Sequence, residues 1–293
     1  MRTVPAMTAG PVDDVRRAHP QARAALADAV ARSARLWRSI ADPAAPVPGL
    51  TWTAAQTAAH VVGDMREYAE ALTRQVNGDP TELEIPDESP ARARTAVNDR
   101  HLIDVSERDP RRLADMLEQT AASYLAAVTD IAAADTVDTS ERAAILTADG
   151  LVLEPAVMTC LLLGEQLVHG LDIARAAHQP WTIDPDDALL VIPAVLSLAP
   201  KYLRPSRTKN LNISFELRMR GGCRYRMSIT NGTGVVTTAG DKADCVITAD
   251  PVTFLLLGLG RVPQLPQLLR GRLRAGGRKP WLAATFATLL ASP

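Results

Sequence analysis

The sequence predicts a two-domain α+β protein, in which a helical bundle precedes a smaller α/β domain with a mainly antiparallel sheet. The chain has 293 residues, a length that favours two domains over one. Up to about residue 180, its long segments carry apolar residues at three- and four-residue spacing, as amphipathic helices do. Beyond that point several segments alternate apolar and polar residues, as half-buried strands do. The predicted domains are therefore 1–182 and 183–293.

The first two helices of the predicted bundle have clear signals. Residues 12–41 are rich in alanine and arginine at helical spacing, and Pro20 is expected to kink or restart the first turns. In the next helix, Thr53 and Gln56 have the spacing of a capping box, which fixes where the helix begins. Trp52 precedes this start as an apolar residue at the helix entrance.

Proline positions and helical spacing predict the rest of the bundle. Proline, glycine and acidic residues over 78–91 indicate a loop, either a lid or a disordered connection. Helices are predicted at 92–105 and 111–133, followed by an irregular or short extended connection over 134–150. The last helix begins at Pro155, because proline suits the first helical position.

The second domain is predicted to hold a helix, a sheet and shorter apolar helices. The helix over 185–203 is expected to be interrupted by Pro193 and Pro200. The segments NLNISFELRM and CRYRMSIT alternate apolar and polar residues, and Asn231–Gly232 after them predicts a hairpin turn. The other predicted elements are the strands VVTTAG, ADCVITA and GRLRAGG and the apolar helices 251–259 and 280–291.

Composition excludes several classes of partner. The net charge is −1 with no block of basic residues, which argues against nucleic acid. We expect neither a secretory signal, because MRTVPAMTAG has no apolar core, nor a membrane span, because no apolar run is long enough. The three cysteines, without a CxxC spacing, are expected to be buried thiols in a reducing cytoplasm. With no long apolar stripe left over, we expect a monomer.

The apolar stretch CLLLGEQLVHGLDIARA contains three polar side chains that are costly to bury. At 100° per residue, Glu165, His169 and Asp172 lie on one narrow stripe of a helix, and His60 and Asp64 share a stripe of an earlier helix. Two imidazoles and a carboxylate suit a catalytic divalent metal with an open position.

Simpler interpretations of the same residues stay open at this stage. Glu165 and His169 could form an ordinary intrahelical pair, and His60 could be a satisfied core histidine. Asp172 is expected either to accept a hydrogen bond from a ligand histidine or to pair with Arg175. The remaining histidines receive no role from the sequence; they are His19, His101 and His178.

Three motifs, taken in order, resemble the mycothiol-dependent maleylpyruvate isomerase family. The motif WTAAQTAAHVVGDM is similar to the tryptophan-then-histidine helix of its DinB-like metal-binding bundle, and GEQLVHGLDIARA is similar to its second metal motif. The segments from FELRM through DCVITADPVTFLLLGLGR to GRLRAGGRKPW resemble a sterol-carrier-protein-2-like domain, abbreviated SCP2-like. The resemblance covers roughly residues 12–178 and 185–291.

The resemblance implies a site and two cofactors. It makes His60, Glu165 and His169 the protein ligands of a zinc ion, and it implies mycothiol, a low-molecular-weight thiol, as the second cofactor. An arginine of the second domain is implied to bind a substrate carboxylate, with Arg261 as the first choice and Arg272 as the second. The substrate is then a small electrophilic or carboxylate-bearing molecule.

The implied chemistry is thiol addition. A thiolate adds to the double bond of a maleylpyruvate-like acid, the resulting single bond rotates, and elimination returns the trans isomer; other electrophiles would undergo thiol transfer instead. One alternative is a metal-dependent hydrolase of thiol conjugates, with Glu165 or Asp64 as the base. Another is a non-catalytic protein that binds a lipid or small ligand, in which VTFLLLGLG lines a cavity or forms ordinary core.

Overall fold

The computed structural model describes residues 10–77, 89–134, 145–240 and 242–291. These residues form two compact units. One unit is built from residues 19–183, and the other from residues 184–291 together with residues 10–18. The domain limits 1–182 and 183–293 stay a prediction, whereas the two-domain α+β class is confirmed.

The unit built from residues 19–183 is a bundle of helices. The segments predicted to be helical are confirmed, but the restart expected at Pro20 is wrong, because α1 runs through Pro20 as one helix. Four of the five helices begin at a proline, which lacks only an N–H that the first helical turn leaves unpaired. The helices are α1 (Pro11–Arg38), α2 (Ala54–Asn77), α3 (Pro90–Asp104), α4 (Pro110–Ala134) and α5 (Pro155–Ala176).

Helix α2 is central in this unit, because it packs against α3, α4 and α5. Its start is the predicted capping box: the Thr53 amide donates to Gln56 Oε1 at 2.9 Å, and the Gln56 amide donates to Thr53 Oγ1 at 3.3 Å. The face of α2 that lies inside the bundle includes His60 and Asp64, which are 3% and 1% exposed.

The connections of the bundle are partly outside the described residues. This applies to residues 78–88 of the predicted loop and to residues 135–144 of the predicted connection. The end of that connection forms a short antiparallel ribbon of β1 (Ile145–Leu146) and β2 (Val152–Leu153).

Helix α5 is long and apolar enough, by length and composition, to cross a bilayer. Its most apolar stretch has a mean hydropathy of 1.3. However, 78% of that stretch is buried inside the protein, as in a core helix.

The second unit is built on a five-stranded sheet with the order β5-β4-β3-β6-β7. All neighbouring pairs are antiparallel except β3 and β6, which are parallel. The strands are β3 (Asn212–Met219), β4 (Arg224–Thr230), β5 (Thr233–Thr238), β6 (Cys245–Ala249) and β7 (Leu273–Gly276). The helices are α6 (Pro185–Leu198), α7 (Pro205–Thr208), α8 (Pro251–Gly258) and α9 (Gln264–Leu269).

The predicted strand faces and hairpin are confirmed. Phe215 and Leu217 of β3 are fully buried in one core with residues of α6 and α8. Asn231 and Gly232 join β4 to β5 with φ values of 50° and 87°, as a two-residue hairpin turn requires. In α8, Leu255 is buried in the same unit, so VTFLLLGLG contributes to an ordinary core.

Two predictions about this unit are wrong. Helix α6 continues through Pro193 and ends at Leu198, where a 3-10 turn takes over. The segment 280–291 is not an α-helix, because it forms two short 3-10 turns, Pro280–Ala284 and Phe286–Leu289. These turns place Ala283, Phe286 and Leu289 against the sheet at three-residue spacing, the period of a 3-10 helix.

Candidate metal centre

The polar stripe on α5 is a chain of hydrogen-bonding groups. Glu165 Oε2 lies 3.1 Å from Nε2 of His169, one helical turn further on. The other ring nitrogen of His169, Nδ1, lies 3.1 Å from Asp172 Oδ2. The structure therefore brings Asp172 to His169, one of the two partners expected for it.

Helix α2 brings His60 to the same place. His60 Nε2 lies 3.5 Å from Glu165 Oε2, and ligand atoms of His60, Glu165 and His169 all lie within 4.8 Å of one another. Two ligands of one tetrahedral zinc ion, each about 2.0–2.1 Å from it, lie about 3.3 Å apart. The distances of 3.1 and 3.5 Å bracket that value. The donor set therefore fits a divalent ion in both chemistry and spacing.

The three side chains differ in their access to solvent. The side chains of His60 and His169 are 3% and 10% exposed, whereas that of Glu165 is 30% exposed. The Trp52 ring lies over the histidines, with its centroid 4.9 Å from that of His60 and 6.5 Å from that of His169. Trp52 therefore packs near both histidines, and Glu165 is the most solvent-accessible of the three possible ligands.

Burial and hydrogen bonds give the two histidines opposite pKa shifts. Burial lowers the pKa of His60 to about 4, so this ring is neutral and able to act as a ligand. Burial alone would also lower the pKa of His169, but its bonds to Asp172 and Glu165 outweigh burial and raise that pKa to about 9. The same two histidines outweigh the effect of burial on Glu165 and hold its pKa well below the usual range. A metal ion binding here would displace a proton from His169.

A second buried cluster lies beside this group. Arg94 of α3 donates to Asp64 and lies 3.8 Å from Glu67 and 3.7 Å from Asp149. His101, also on α3, has Nε2 3.1 Å from Glu67 Oε2. The ligand atoms of Asp64, Glu67 and His101 also lie within 4.8 Å of one another. Here the guanidinium of Arg94 already supplies the positive charge that buried carboxylates require.

Several expectations change with this cluster. Asp64 is paired with Arg94, and its ligand atom belongs to the second cluster. His101, for which no role was expected, is buried, with only 5% of its surface exposed. His19 lies 3.0 Å from Thr159, and burial lowers its pKa to about 4. His178 is exposed.

The two arginines implied by the resemblance lie in the other compact unit. Arg261 follows α8, is half-buried and donates to the Leu259 carbonyl at 2.7 Å. Arg272 is exposed and precedes β7. Their part in substrate binding stays a prediction.

The cysteines differ from the expectation at one position. Cys160 and Cys245 are buried, and burial raises the pKa of Cys160 to about 12. Cys223, predicted to be buried, is exposed in the turn between β3 and β4. A thiol buried like that of Cys160 is unreactive near neutral pH.

No protein-family model matches the sequence, and no curated protein matches it. Two crystal structures of a mycothiol-dependent maleylpyruvate isomerase, one of them a mutant, match at 14% identity with a TM-score of 0.52. Each match covers 88% of this chain and 92% of the isomerase chain. This chain has the fold of that isomerase. A sterol carrier protein 2 from Yarrowia lipolytica matches at 22% identity over 33% of this chain and 91% of its own. Its TM-score of 0.23 is too low to show a shared fold.

Proposed function

We propose that the chain is a zinc-dependent enzyme that uses mycothiol to isomerise, or to transfer a thiol to, a small electrophilic acid resembling maleylpyruvate. His60, Glu165 and His169 would hold the zinc ion. The substrate would be a small acid, and the proposal includes neither nucleic acid nor a membrane as a partner. We further propose that the protein is a cytoplasmic monomer.

One observation carries the proposal: two helices bring two imidazoles and a carboxylate together, and each imidazole has its far nitrogen bonded. His169 Nδ1 faces Asp172, and His60 Nδ1 faces His101. These bonds direct both Nε2 atoms toward Glu165. A histidine that is simply buried in a hydrophobic core does not need partners on both ring nitrogens. The fold shared with a mycothiol-dependent isomerase agrees with a metal site here.

The residues of this chain have separate tasks in the proposed reaction. A divalent ion bound by them would favour the ionised form of a thiol near neutral pH. Trp52, which packs near both histidines, would limit the access of water to them. Arg261, with Arg272 as the second candidate, would bind the carboxylate of the acid and so orient its double bond.

The two alternatives from the sequence have less support. In the hydrolase alternative Asp64 would be a base, but its carboxylate is paired with Arg94. In the ligand-binding alternative α8 would line a cavity, but Leu255 and Leu256 of α8 are buried. Glu165 as a base is still compatible with the geometry.

Metal analysis tests the proposed site. We expect purified wild-type protein to bind one zinc ion per chain, and His169→Ala to lose it while keeping the helical circular dichroism signal. His178→Ala is the matched control, because this exposed histidine follows the same helix and should leave zinc binding unchanged. Full zinc occupancy in His169→Ala would contradict the ligand assignment.

Kinetics test the thiol and the arginine. Turnover of unsaturated acids should require mycothiol and should be absent with no thiol. Arg261→Ala should raise KM for a carboxylate substrate by 10-fold or more, on the order of one charge-assisted hydrogen bond, with a smaller change in kcat. Unchanged kinetics in Arg261→Ala, with a raised KM in Arg272→Ala, would move the role to Arg272.

A further inference from the structure

The two ring nitrogens of His60 face different partners. Nε2 faces Glu165, within the proposed metal centre. Nδ1 faces away from it and lies 3.4 Å from Nδ1 of His101. His101 continues the chain, because its Nε2 lies 3.1 Å from Glu67 Oε2. A line of hydrogen-bonding groups therefore runs from the metal centre through two rings to a carboxylate.

When both rings are neutral, a single assignment of protons satisfies this line. The Glu67 carboxylate can only accept, so His101 Nε2 carries a proton and donates it. In a neutral His101 the other nitrogen, Nδ1, is then an acceptor for an N–H at Nδ1 of His60. With its proton on Nδ1, His60 has a lone pair on Nε2, the nitrogen that faces the metal centre.

Glu67 is itself held from two sides. Its Oε1 accepts from the Ala148 amide at 3.0 Å, and Arg94 lies 3.8 Å from its Oε2. Arg94 also bonds Asp64, one turn before Glu67 on α2. The carboxylate at the end of the line is therefore held by the turn of the β1–β2 ribbon and by α3.

We propose that His101 and Glu67 are positioning residues, which fix the tautomer and ring orientation of His60 so that its Nε2 can bind the metal. This inference rests on the proposed metal site, but neither residue touches the ion. His169 is oriented by one carboxylate, Asp172, whereas His60 is oriented by a histidine backed by a carboxylate. A second metal ion on Asp64, Glu67 and His101 is the competing assignment, and Arg94 argues against it because a cation there would have to displace its guanidinium.

Two substitutions of His101 separate the two ends of its ring. In His101→Asn the amide oxygen takes the place of Nδ1 and can still accept from His60. In His101→Gln the amide takes the place of Nε2 and reaches toward Glu67, but the bond to His60 is lost. We expect zinc affinity, measured by competition with a chromophoric chelator, to fall about 10-fold or more in His101→Gln and clearly less in His101→Asn.

Glu67→Gln tests the far end of the line without changing shape. A single amide oxygen cannot accept from both His101 and Ala148, so an NH₂ group facing His101 would reverse its tautomer. His60 would then carry its proton on Nε2, where the metal should bind, and zinc affinity should fall about 10-fold. Glu70→Gln, one turn later on α2 and exposed, is the matched control and should bind zinc like the wild type.

The outcomes distinguish this inference from the function on which it rests. Absence of zinc from the wild-type protein would remove the metal site and the inference together. Zinc bound equally well by wild type, Glu67→Gln and His101→Gln would overturn the positioning role alone. Equal losses in His101→Asn and His101→Gln would indicate a packing role, and two zinc ions per wild-type chain would assign His101 to a second site; either result overturns the inference. Thermal unfolding of each variant identifies those that fail to fold. If the His101 variants do not fold, the zinc affinity of the isosteric Glu67→Gln variant decides whether the positioning role holds.

Discussion

At the scale of single residues, spacing predicts which groups share a helix face but not what lies opposite. The stripe of Glu165, His169 and Asp172 follows from helix geometry alone. The same geometry places each of these side chains one turn from the next, within reach of it. The contact between His60 and His101 does not, because it depends on how closely α2 and α3 approach. Gly63 permits that approach: a Cβ at this position would lie 2.6 Å from Cβ of His101.

The sequence did contain a signal for His101. Ala93, Val97 and His101 repeat every four residues, and all three are on the buried face of α3. The surrounding polar residues concealed the pattern, since Arg94 on the same face is buried only because carboxylates of α2 pair with it. A partner on another helix is not readable from one helix.

Asp172→Asn should weaken metal binding without unfolding the protein. The asparagine can present its NH₂ group to His169 Nδ1, which disfavours the tautomer with a free Nε2. We expect zinc affinity to fall by about 10- to 100-fold, as for other groups behind a ligand histidine. Chelator competition measures the change, and Asp130→Asn, an exposed position on α4, is the control. Unchanged affinity would show that Asp172 does not orient His169.

At the scale of elements, helix starts were more predictable than helix ends and interruptions. Starts depend on local chemistry, such as the proline at the first position of α5 and the capping box of α2. The interruption expected at Pro193 is absent, because tertiary packing of α6 offsets the loss of one backbone hydrogen bond. For residues 280–291, apolar content alone could not distinguish an α-helix from 3-10 turns that pack on a sheet.

Thr53→Ala should destabilise the bundle through the start of α2. The substitution removes the side-chain acceptor for the Gln56 amide. We expect the free energy of unfolding to fall by about 1 kcal/mol, the usual effect of losing such a cap. Urea unfolding measures this, and Thr51→Ala, two residues earlier and exposed, is the control. Equal stability of the two variants would mean that the capping bonds contribute nothing measurable.

At the scale of the whole molecule, the change of sequence pattern near residue 180 predicted the α+β class, but strand order was beyond it. Alternation assigns a strand two faces and not its neighbours, so the parallel pairing of β3 with β6 was not predictable. The fold is shared with the isomerase at only 14% identity. At that level the motifs around His60 and His169 predict more about the site than overall similarity does.

Asp244 should make the stability of the sheet unit depend on acid pH. Its hydrogen bond with Arg278 is the main cause that lowers its pKa to about 2. Burial acts in the opposite direction, whereas Lys279 and the Ser214 amide lower the pKa further. A carboxyl with a lowered pKa stabilises the fold above its unfolded pKa, so its contribution should be full above about pH 4 and lost as the pH falls toward 2.

Asp244→Asn tests this directly. The variant should be less stable than the wild type by about 1 kcal/mol at pH 7, and the difference should shrink as the pH approaches 2. Denaturant unfolding at several pH values measures both. Asp104→Asn, at an exposed position of α3, should show no such trend. A difference that stays constant with pH would exclude the proposed electrostatic origin.

The exposure of Cys223 gives the protein a natural attachment point. Of its three cysteines, two are shielded within the fold, and only this one is open to solvent, in the turn between β3 and β4. A maleimide dye or a nitroxide spin label would therefore react at a single known position without any engineered cysteine. Site-specific fluorescence and paramagnetic experiments on the wild-type chain follow from that one surface thiol.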